Sequence, residues 1–143
     1  MATITAANSA YAIAVAGLFP SPITLQGFAA DDAFASDSVT MAENIVGVDG
    51  RKSSGFVFEL VKQTITIMPD SPSLPLFVAW ANGQFQNQEL YTAQATIVYP
   101  SLSTKYTLKN GTLTVARLLP DAKRILQPVP FQIVWQSIIG EPL

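Results

Sequence analysis

The sequence predicts a mainly β protein, an antiparallel sandwich or barrel with one flanking α-helix and a long extended loop. Three observations lead to this prediction. Apolar residues alternate with small or polar residues through most of the chain, Pro, Gly and Asn interrupt these runs, and helical spacing is confined to one segment. Alternation with a period of two is typical of strands with one buried face, whereas a period near 3.6 indicates a helix.

The N-terminal part of the chain predicts two strands. Large residues alternate with alanines over residues 11–15, and the sequence Pro-Ser-Pro at 20–22 separates this strand from a second one at 23–25. The apolar run over residues 10–19 is shorter than the roughly 20 residues that span a bilayer. No Lys or Arg precedes it, so we expect neither a membrane segment nor a secretory signal.

The middle and C-terminal parts show the same alternation in five further segments. The predicted strands are 64–68, 95–99, 106–108, 112–118 and 129–138. Asn110-Gly111 is the strongest short-range signal for a two-residue hairpin turn, because both turn positions need positive φ. We therefore expect strand 112–118 to return antiparallel to strand 106–108.

One segment predicts a helix over residues 72–84. Its apolar stripe, with spacing i, i+3, i+4 and i+7, consists of Leu74, Phe77, Val78 and Ala81. Ser and Asp residues just before the stripe are of the type that caps helices, and Asn82-Gly83 is expected to end the helix. Trp80 lies off the main stripe, so it either anchors the helix to the sheet or reaches a neighbouring subunit.

Residues 28–55 form the long extended loop, or a long hairpin. The segment holds five acidic residues and three glycines, and its apolar residues need a packing partner. Another copy of the chain is the obvious partner, and a solvated surface loop is the alternative. The candidate contact residues are Phe28, Asp31, Asp32, Phe34, Asp37, Met41, Glu43, Val46, Asp49, Arg51 and Lys52.

The sequence is poor in residues that carry out catalysis. It contains no histidine, the usual proton shuttle near neutral pH, and no cysteine, which removes thiolate nucleophiles and disulfides. Glycine-rich phosphate loops and clusters with metal-ligand spacing are also missing from the sequence. We predict a protein that is not an enzyme and needs no cofactor or metal. The alternative is an enzyme with perturbed carboxylates in a cleft.

Composition and charge favour self-association. Hydrophobic residues make up 49% of the 143 residues and charged residues 13%, about half of the usual charged fraction. Surplus apolar surface becomes interface in an oligomer, although a monomer with a Ser-, Thr-, Gln- and Asn-rich exterior is the alternative. Residues 1–50 hold five acidic and no basic residues, whereas 51–143 hold five acidic and eight basic ones. This asymmetry favours head-to-tail contacts between copies.

A series of short motifs resembles the tail tube proteins of contractile-tailed bacteriophages, in order along the chain. The motifs are ITLQGFAADDAF (23–34), VGVDGR (46–51), QTITIMPDSPS (63–73), PSLSTKYTLKNG (100–111) and LPDAKRILQPV (119–129). The resemblance extends from about residue 20 to residue 138, and we treat residues 1–143 as a single tail-tube-like domain. It implies a structural virion protein whose six copies form a ring with a β-lined channel. Stacked rings would form a hollow tube that conducts the phage genome into the host.

The resemblance also implies partners and a location. The partners are other copies of the chain, the tape-measure protein and phage DNA in the lumen, and the sheath and baseplate proteins of the tail. The protein would be made in the host cytoplasm and end up in the virion tail, without a membrane partner. Two alternatives remain: a small β-barrel that binds an apolar ligand, and the tube subunit of a phage-derived secretion or injection system.

Overall fold

The structure is a computed structural model that describes residues 9–25, 34–117, 119–120 and 122–142. Within these residues the elements are β1 (Ala10–Val15), β2 (Phe19–Thr24), β3 (Phe34–Ser36), β4 (Ala42–Val46), β5 (Lys52–Phe56), β6 (Val61–Ile67), α1 (Leu74–Asn87), β7 (Ala93–Tyr99), a 3₁₀ turn (Pro100–Leu102), β8 (Thr104–Ala116), β9 (Val129–Trp135) and β10 (Ser137–Pro142). The mainly β prediction is confirmed, because strands dominate the described residues and their pairings are antiparallel.

The strands form two layers that share strand β8. One layer has the order β2-β1-β7-β8-β10, and the other has the order β3-β6-β9-β8. The first half of β8 pairs with β7 and β10, whereas Thr112–Ala116 pairs with β9. The described strands do not close into a barrel, so the arrangement is a sandwich. β4 and β5 form a separate two-stranded sheet.

The predicted hairpin at Asn110-Gly111 is wrong, because β8 runs through this pair as one strand. Asn110 has a φ of 51°, but Gly111 has no positive φ, so the two-residue turn does not form. The register shows an irregularity instead: Ala93 pairs with Gly111, and Ala95 pairs with Leu108. Extra residues of this kind bend a strand and increase its twist. β8 passes from one layer into the other next to this irregularity.

Gly111 is required by a close approach rather than by a turn. A Cβ atom at this position would lie 2.4 Å from the ring of Trp135, which is fully buried. We therefore expect Gly111→Ala to lower the free energy of unfolding by about 1–3 kcal/mol through overpacking. Thermal unfolding followed by circular dichroism measures this change. Gly55→Ala, where a Cβ meets nothing within 4 Å, is the control; an equal loss in both variants would contradict the explanation.

The core lies between the two layers and is closed on one side by α1. The alternating large residues predicted to face inward are buried, including Tyr11, Ile13 and Val15 of β1. Phe131, Ile133 and Trp135 of β9 line the opposite layer. The helix joins this core through Phe77, whose ring stacks on Phe131 with centroids 4.8 Å apart.

Helix α1 starts two residues later and ends three residues later than predicted. Gly83 lies inside the helix and does not end it. A Cβ atom at this position would lie 2.8 Å from the Tyr91 ring, so the close packing of this ring requires a glycine. Trp80 is 1% exposed, and its indole N–H donates to the backbone oxygen of Tyr91 at 3.3 Å. Trp80 thus anchors the helix rather than reaching outward. No helix within the described ranges is long and apolar enough to cross a membrane.

A buried polar contact joins the two layers at Gln63. The Tyr11 hydroxyl donates to Gln63 Oε1 at 2.7 Å, and the indole N–H of Trp135 donates to the same oxygen at 3.0 Å. Burial, together with nearby Tyr99, raises the pKa of Tyr11 far above its usual range, so the hydroxyl remains a donor at all ordinary pH values. One amide oxygen therefore satisfies two aromatic donors from β1 and β9.

Candidate assembly surfaces

The segment predicted to mediate contacts forms a protruding hairpin, here called the arm (residues 41–57). Its strands β4 and β5 pair from Ala42↔Phe56 to Val46↔Lys52. The turn is closed by a bond from the Gly47 N–H to the Arg51 oxygen at 2.9 Å, and Gly50 adopts a φ of 81° that favours glycine. The long-hairpin interpretation of the 28–55 segment thus applies to its second half.

The arm is an exposed ribbon with a large apolar content. All residues from 37 to 56 are exposed. The exposed large apolar side chains on the arm and just beyond it are Met41, Ile45, Val46, Val48, Phe56 and Phe58. A two-stranded hairpin alone in water is at best marginally stable, and contiguous apolar patches mark interaction sites. The arm therefore has the composition of a surface that a partner covers.

The two faces of the arm differ in charge. In a strand, successive side chains point to opposite faces, and directly opposed residues share a face. The lysine face consists of Ala42, Asn44, Val46, Lys52, Ser54 and Phe56, and the glutamate face of Met41, Glu43, Ile45, Ser53 and Gly55. A 2.6 Å hydrogen bond from Ser54 Oγ to Asn44 Oδ1 agrees with this assignment. Each face combines apolar and uncharged polar residues with a single charge, which is positive on one face and negative on the other.

The base of the arm is tied to the sandwich next to the start of β6. The backbone N–H of Thr40 donates to Glu59 Oε2 at 2.8 Å, so the two ends of the arm are held together. The backbone N–H of Asp37 donates to the Lys62 oxygen at 2.8 Å, which extends the β3–β6 pairing by one bond. These bonds fix where the arm leaves the body.

The structure brings together six of the eleven predicted contact residues. The residues on the arm are Met41, Glu43, Val46, Asp49, Arg51 and Lys52. Asp37 lies at its base, whereas Phe34 is partly buried against the core, where its ring packs edge-on against Tyr11 with centroids 5.2 Å apart. Phe28, Asp31 and Asp32 lie outside the described residues. The role of these residues in contacts between rings stays a prediction.

A second surface, which we call the groove, was not predicted from the sequence. It is a shallow, wide-open concavity of about 550 Å³. It is lined by Met68, Pro69, Asp70, Lys123, Arg124, Ile125 and Leu126. A bridge between Ala122 and Leu126 holds the connection in a tight turn, and Ile125 and Leu126 are 72% and 54% exposed. The only sequence signal was the basic pair Lys123-Arg124 directly before two aliphatic residues.

The arm and the groove lie at opposite ends of β6. The arm joins the start of β6, where Val61 pairs with Trp135. The groove follows its last residue, Ile67, which pairs with Val129 at the other end of β9. Six residue steps of about 3.3 Å separate these ends by about 20 Å. A subunit therefore carries one apolar surface at each end of the sandwich.

The free edge of β2 is shaped against pairing with another strand. The backbone N–H of Leu25 donates to the Tyr11 oxygen at 2.7 Å, so alternate residues, including Ile23, point their backbone groups toward β1. Pro22 lies next to Ile23 at an outward-pointing position, and Pro20 lies in the irregular stretch between Phe19 and Ile23, so neither residue offers an N–H donor to the open edge. Proline at sheet edges is a known device against edge-to-edge aggregation.

No group of three or more His, Cys, Asp or Glu side chains that could hold a metal occurs in the part of the chain that the structure describes. The sequence model of a protein family described as tail fiber protein gp32 matches residues 2–139. This chain belongs to the gp32 tail fiber protein family.

Solved structures share the fold of this gp32 family member along nearly its whole length. A chain in the extended sheath-tube complex of the extracellular contractile injection system PVC superposes with a TM-score of 0.61 and 13% identity, covering 93% of this chain and 88% of that one. A chain in the six-fold symmetrised baseplate of the anti-feeding prophage gives 0.57 and 13%, with coverages of 94% and 92%. A chain in the tube-terminating cap of that prophage gives 0.56 and 10%, with coverages of 93% and 88%.

These findings agree with the motifs read from the sequence. No curated protein sequence matches the chain. At 10–13% identity the solved structures show a shared fold, and the assemblies that contain them include the tube of a contractile system. The resemblance to tail tube proteins is confirmed. Family and fold together identify this gp32 family member as a structural component of a phage-like tail.

Proposed function

We propose that the chain is the subunit of a hollow tail tube, in which rings of six copies stack and conduct the phage genome. The observation that carries this proposal is the fold shared over 93% of the chain with a chain of a sheath-tube complex. In this role the protein is not an enzyme. It contacts its own copies, the sheath and the baseplate, while the tape-measure protein and DNA pass through its lumen.

The arm supports a role in assembly. A free monomer would expose Ile45 (67%), Phe56 (67%) and Phe58 (92%) to water. Fully burying a side chain of this kind contributes about 1.5–3 kcal/mol, so contact with a neighbour would be strongly favoured. A tube subunit needs such contacts in every copy, whereas a monomeric ligand-binding protein has no use for them.

The outer face of the five-stranded layer is our candidate for the lumen wall. On β1, β2 and β7 this face carries small or uncharged side chains and surrounds a shallow concavity of about 580 Å³. The side chains include Ala12, Ala14, Pro20, Pro22, Gln94 and Thr96. The part of this face on β1, β2 and β7 has no Lys or Arg and would let DNA slide past, because phosphate binding depends on these cations. On β8 the same face carries Lys105 and Lys109, so the cation-free surface is limited to the first three strands of the layer.

Two other functions have a specific observation in their favour. The family description favours a tail fiber, in which copies would form a solid shaft rather than a channel. The injection-system neighbours favour the tube of a system that carries no genome. The ligand-binding barrel has less support, because the described interior is filled by side chains such as Trp80, Trp135 and Phe77.

Negative-stain electron microscopy of the purified protein, with its mass measured by analytical ultracentrifugation, tests the proposal. We expect six-fold rings or rods with a stain-filled central channel, and masses that are multiples of 15.3 kDa. Solid filaments without a channel would favour the fiber. A strictly monomeric protein at high concentration, both alone and with preformed tail baseplates added as nuclei, would overturn the proposal. Rods that enclose nuclease-protected DNA in virions would distinguish a phage tail from an injection system.

A further inference from the structure

We infer that the glutamate face of the arm of one copy docks into the groove of a second copy. The inference rests on the proposed tube function and names the surface that receives the arm. Both surfaces are exposed in the single subunit and carry apolar side chains: Met41 and Ile45 on the arm, Ile125 and Leu126 at the groove. Neither surface has a described partner within the chain that would cover it.

Charge complementarity determines which face of the arm fits the groove. The groove has two cations, Lys123 and Arg124, and one carboxylate, Asp70, so it has a net positive charge. The glutamate face presents Glu43 between its apolar residues, whereas the lysine face would bring Lys52 against two like charges. Like charges brought together at an interface oppose the wrong pairing, and opposite charges set the register. The glutamate face is therefore the one that fits.

The positions of the two surfaces indicate that the arm binds the groove of a second copy and not the groove of its own chain. The arm leaves the sandwich at the start of β6 and the groove follows its end, about 20 Å away. Residues 41–56 of the arm are all exposed, so the arm does not lie against the body of its own chain. A contact between different surfaces of identical subunits is heterologous, and it either closes into a ring or propagates as a stack. The arm-to-groove contact therefore joins each copy to the next one in a larger assembly.

Cross-linking through introduced cysteines tests this contact directly, because the natural chain contains no cysteine. The variant Ile45→Cys/Ile125→Cys is assembled and treated with a short bismaleimide, which tolerates small errors in register. We expect a ladder of covalent dimers, trimers and longer species on a denaturing gel. The controls are each single variant and Ile45→Cys/Phe85→Cys, which places the second cysteine at an exposed position of α1 (Phe85 is 82% exposed). These controls should give no ladder.

Charge reversal gives a second, independent readout. Glu43→Lys and Arg124→Glu should each raise the critical concentration for assembly about fivefold or more, and the double reversal should restore most of the loss. Lys52→Glu is the matched control on the opposite face, and combining it with Arg124→Glu should restore nothing. Circular dichroism of each variant confirms that the subunit is folded.

The outcomes separate this inference from the proposed function. Rods or rings with a ladder from the 45/125 pair and rescue by the double reversal would support the contact. Rods or rings without that ladder, or with an equal ladder from the 45/85 pair, would overturn the docking and leave the tube intact. If the unmodified protein forms neither rings nor rods, with or without nuclei, the tube proposal fails, and the docking fails with it.

Discussion

Replacing residues 41–57 with a short Gly-Ser linker should abolish assembly and leave the sandwich folded. The arm forms its own two-stranded sheet, and its residues from 41 to 56 are all exposed, so its removal takes no side chain from the core. The same change removes the apolar surface that we propose to be covered by a second copy. We expect the critical concentration for rods or rings to rise at least about 100-fold, as loss of some 3 kcal/mol of contact would produce.

The measurement is pelleting of assemblies over a concentration series, with electron microscopy of each pellet. A circular dichroism melt of the supernatant should show that the linker variant unfolds within a few degrees of the natural protein. A matched control is Phe85→Ser/Leu90→Ser, which removes two exposed apolar side chains outside the arm. Rods that form from the linker variant at the normal concentration would contradict the role of the arm.

Replacing Gln63 should lower the free energy of unfolding more than Gly111→Ala or any substitution at the surface of the fold. Gln63→Ala removes the amide oxygen that accepts from both Tyr11 and Trp135, and it opens a cavity between the layers. Each buried donor that loses its acceptor costs about 1–3 kcal/mol, so we expect a total loss of about 3–5 kcal/mol. At this chain length the loss corresponds to a fall in Tm of about 10–15 °C.

Two further variants separate the causes. Gln63→Met keeps the volume but removes the amide oxygen, so most of the loss should persist if the hydrogen bonds matter more than the cavity. Gln132→Ala is the matched control, because Gln132 is partly exposed on the outer side of the same layer, where it pairs with Thr64. Its effect should stay below about 1 kcal/mol. A Gln63→Met protein as stable as the natural one would show that packing alone determines the effect.

The strand pattern was predictable because burial in this fold is one-sided. Tyr11, Ile13 and Val15 face the core and the alanines between them do not, so period two is visible in the sequence. The same rule failed at Asn110-Gly111. A local turn signal predicted a hairpin there, but strands β7 and β9 pair with successive halves of the same strand, so tertiary pairing overrides the local preference.

The assembly surfaces were only partly predictable. The arm was recognisable because its apolar residues had no local partner in the sequence pattern. The groove was not, because it brings together Met68 and Pro69 with Ile125 and Leu126, more than fifty positions further along the chain. Only the pairing of β6 with β9 places those segments side by side. Gln63 was missed for the same reason. A glutamine in a predicted strand is expected at the surface, and only the folded structure brings its two donors, Tyr11 and Trp135, next to it.

Strand β8 has a mechanical consequence for any particle built from this subunit. Because both layers hydrogen-bond to one continuous strand, separating them requires breaking a backbone ladder as well as the side-chain contacts of the core. Pulling or shearing the subunit therefore loads both layers at once, and the body should give way in a single step rather than by separation of its halves. In the tail tube that we propose, a subunit that fails only as a whole would keep its shape until that limit is reached.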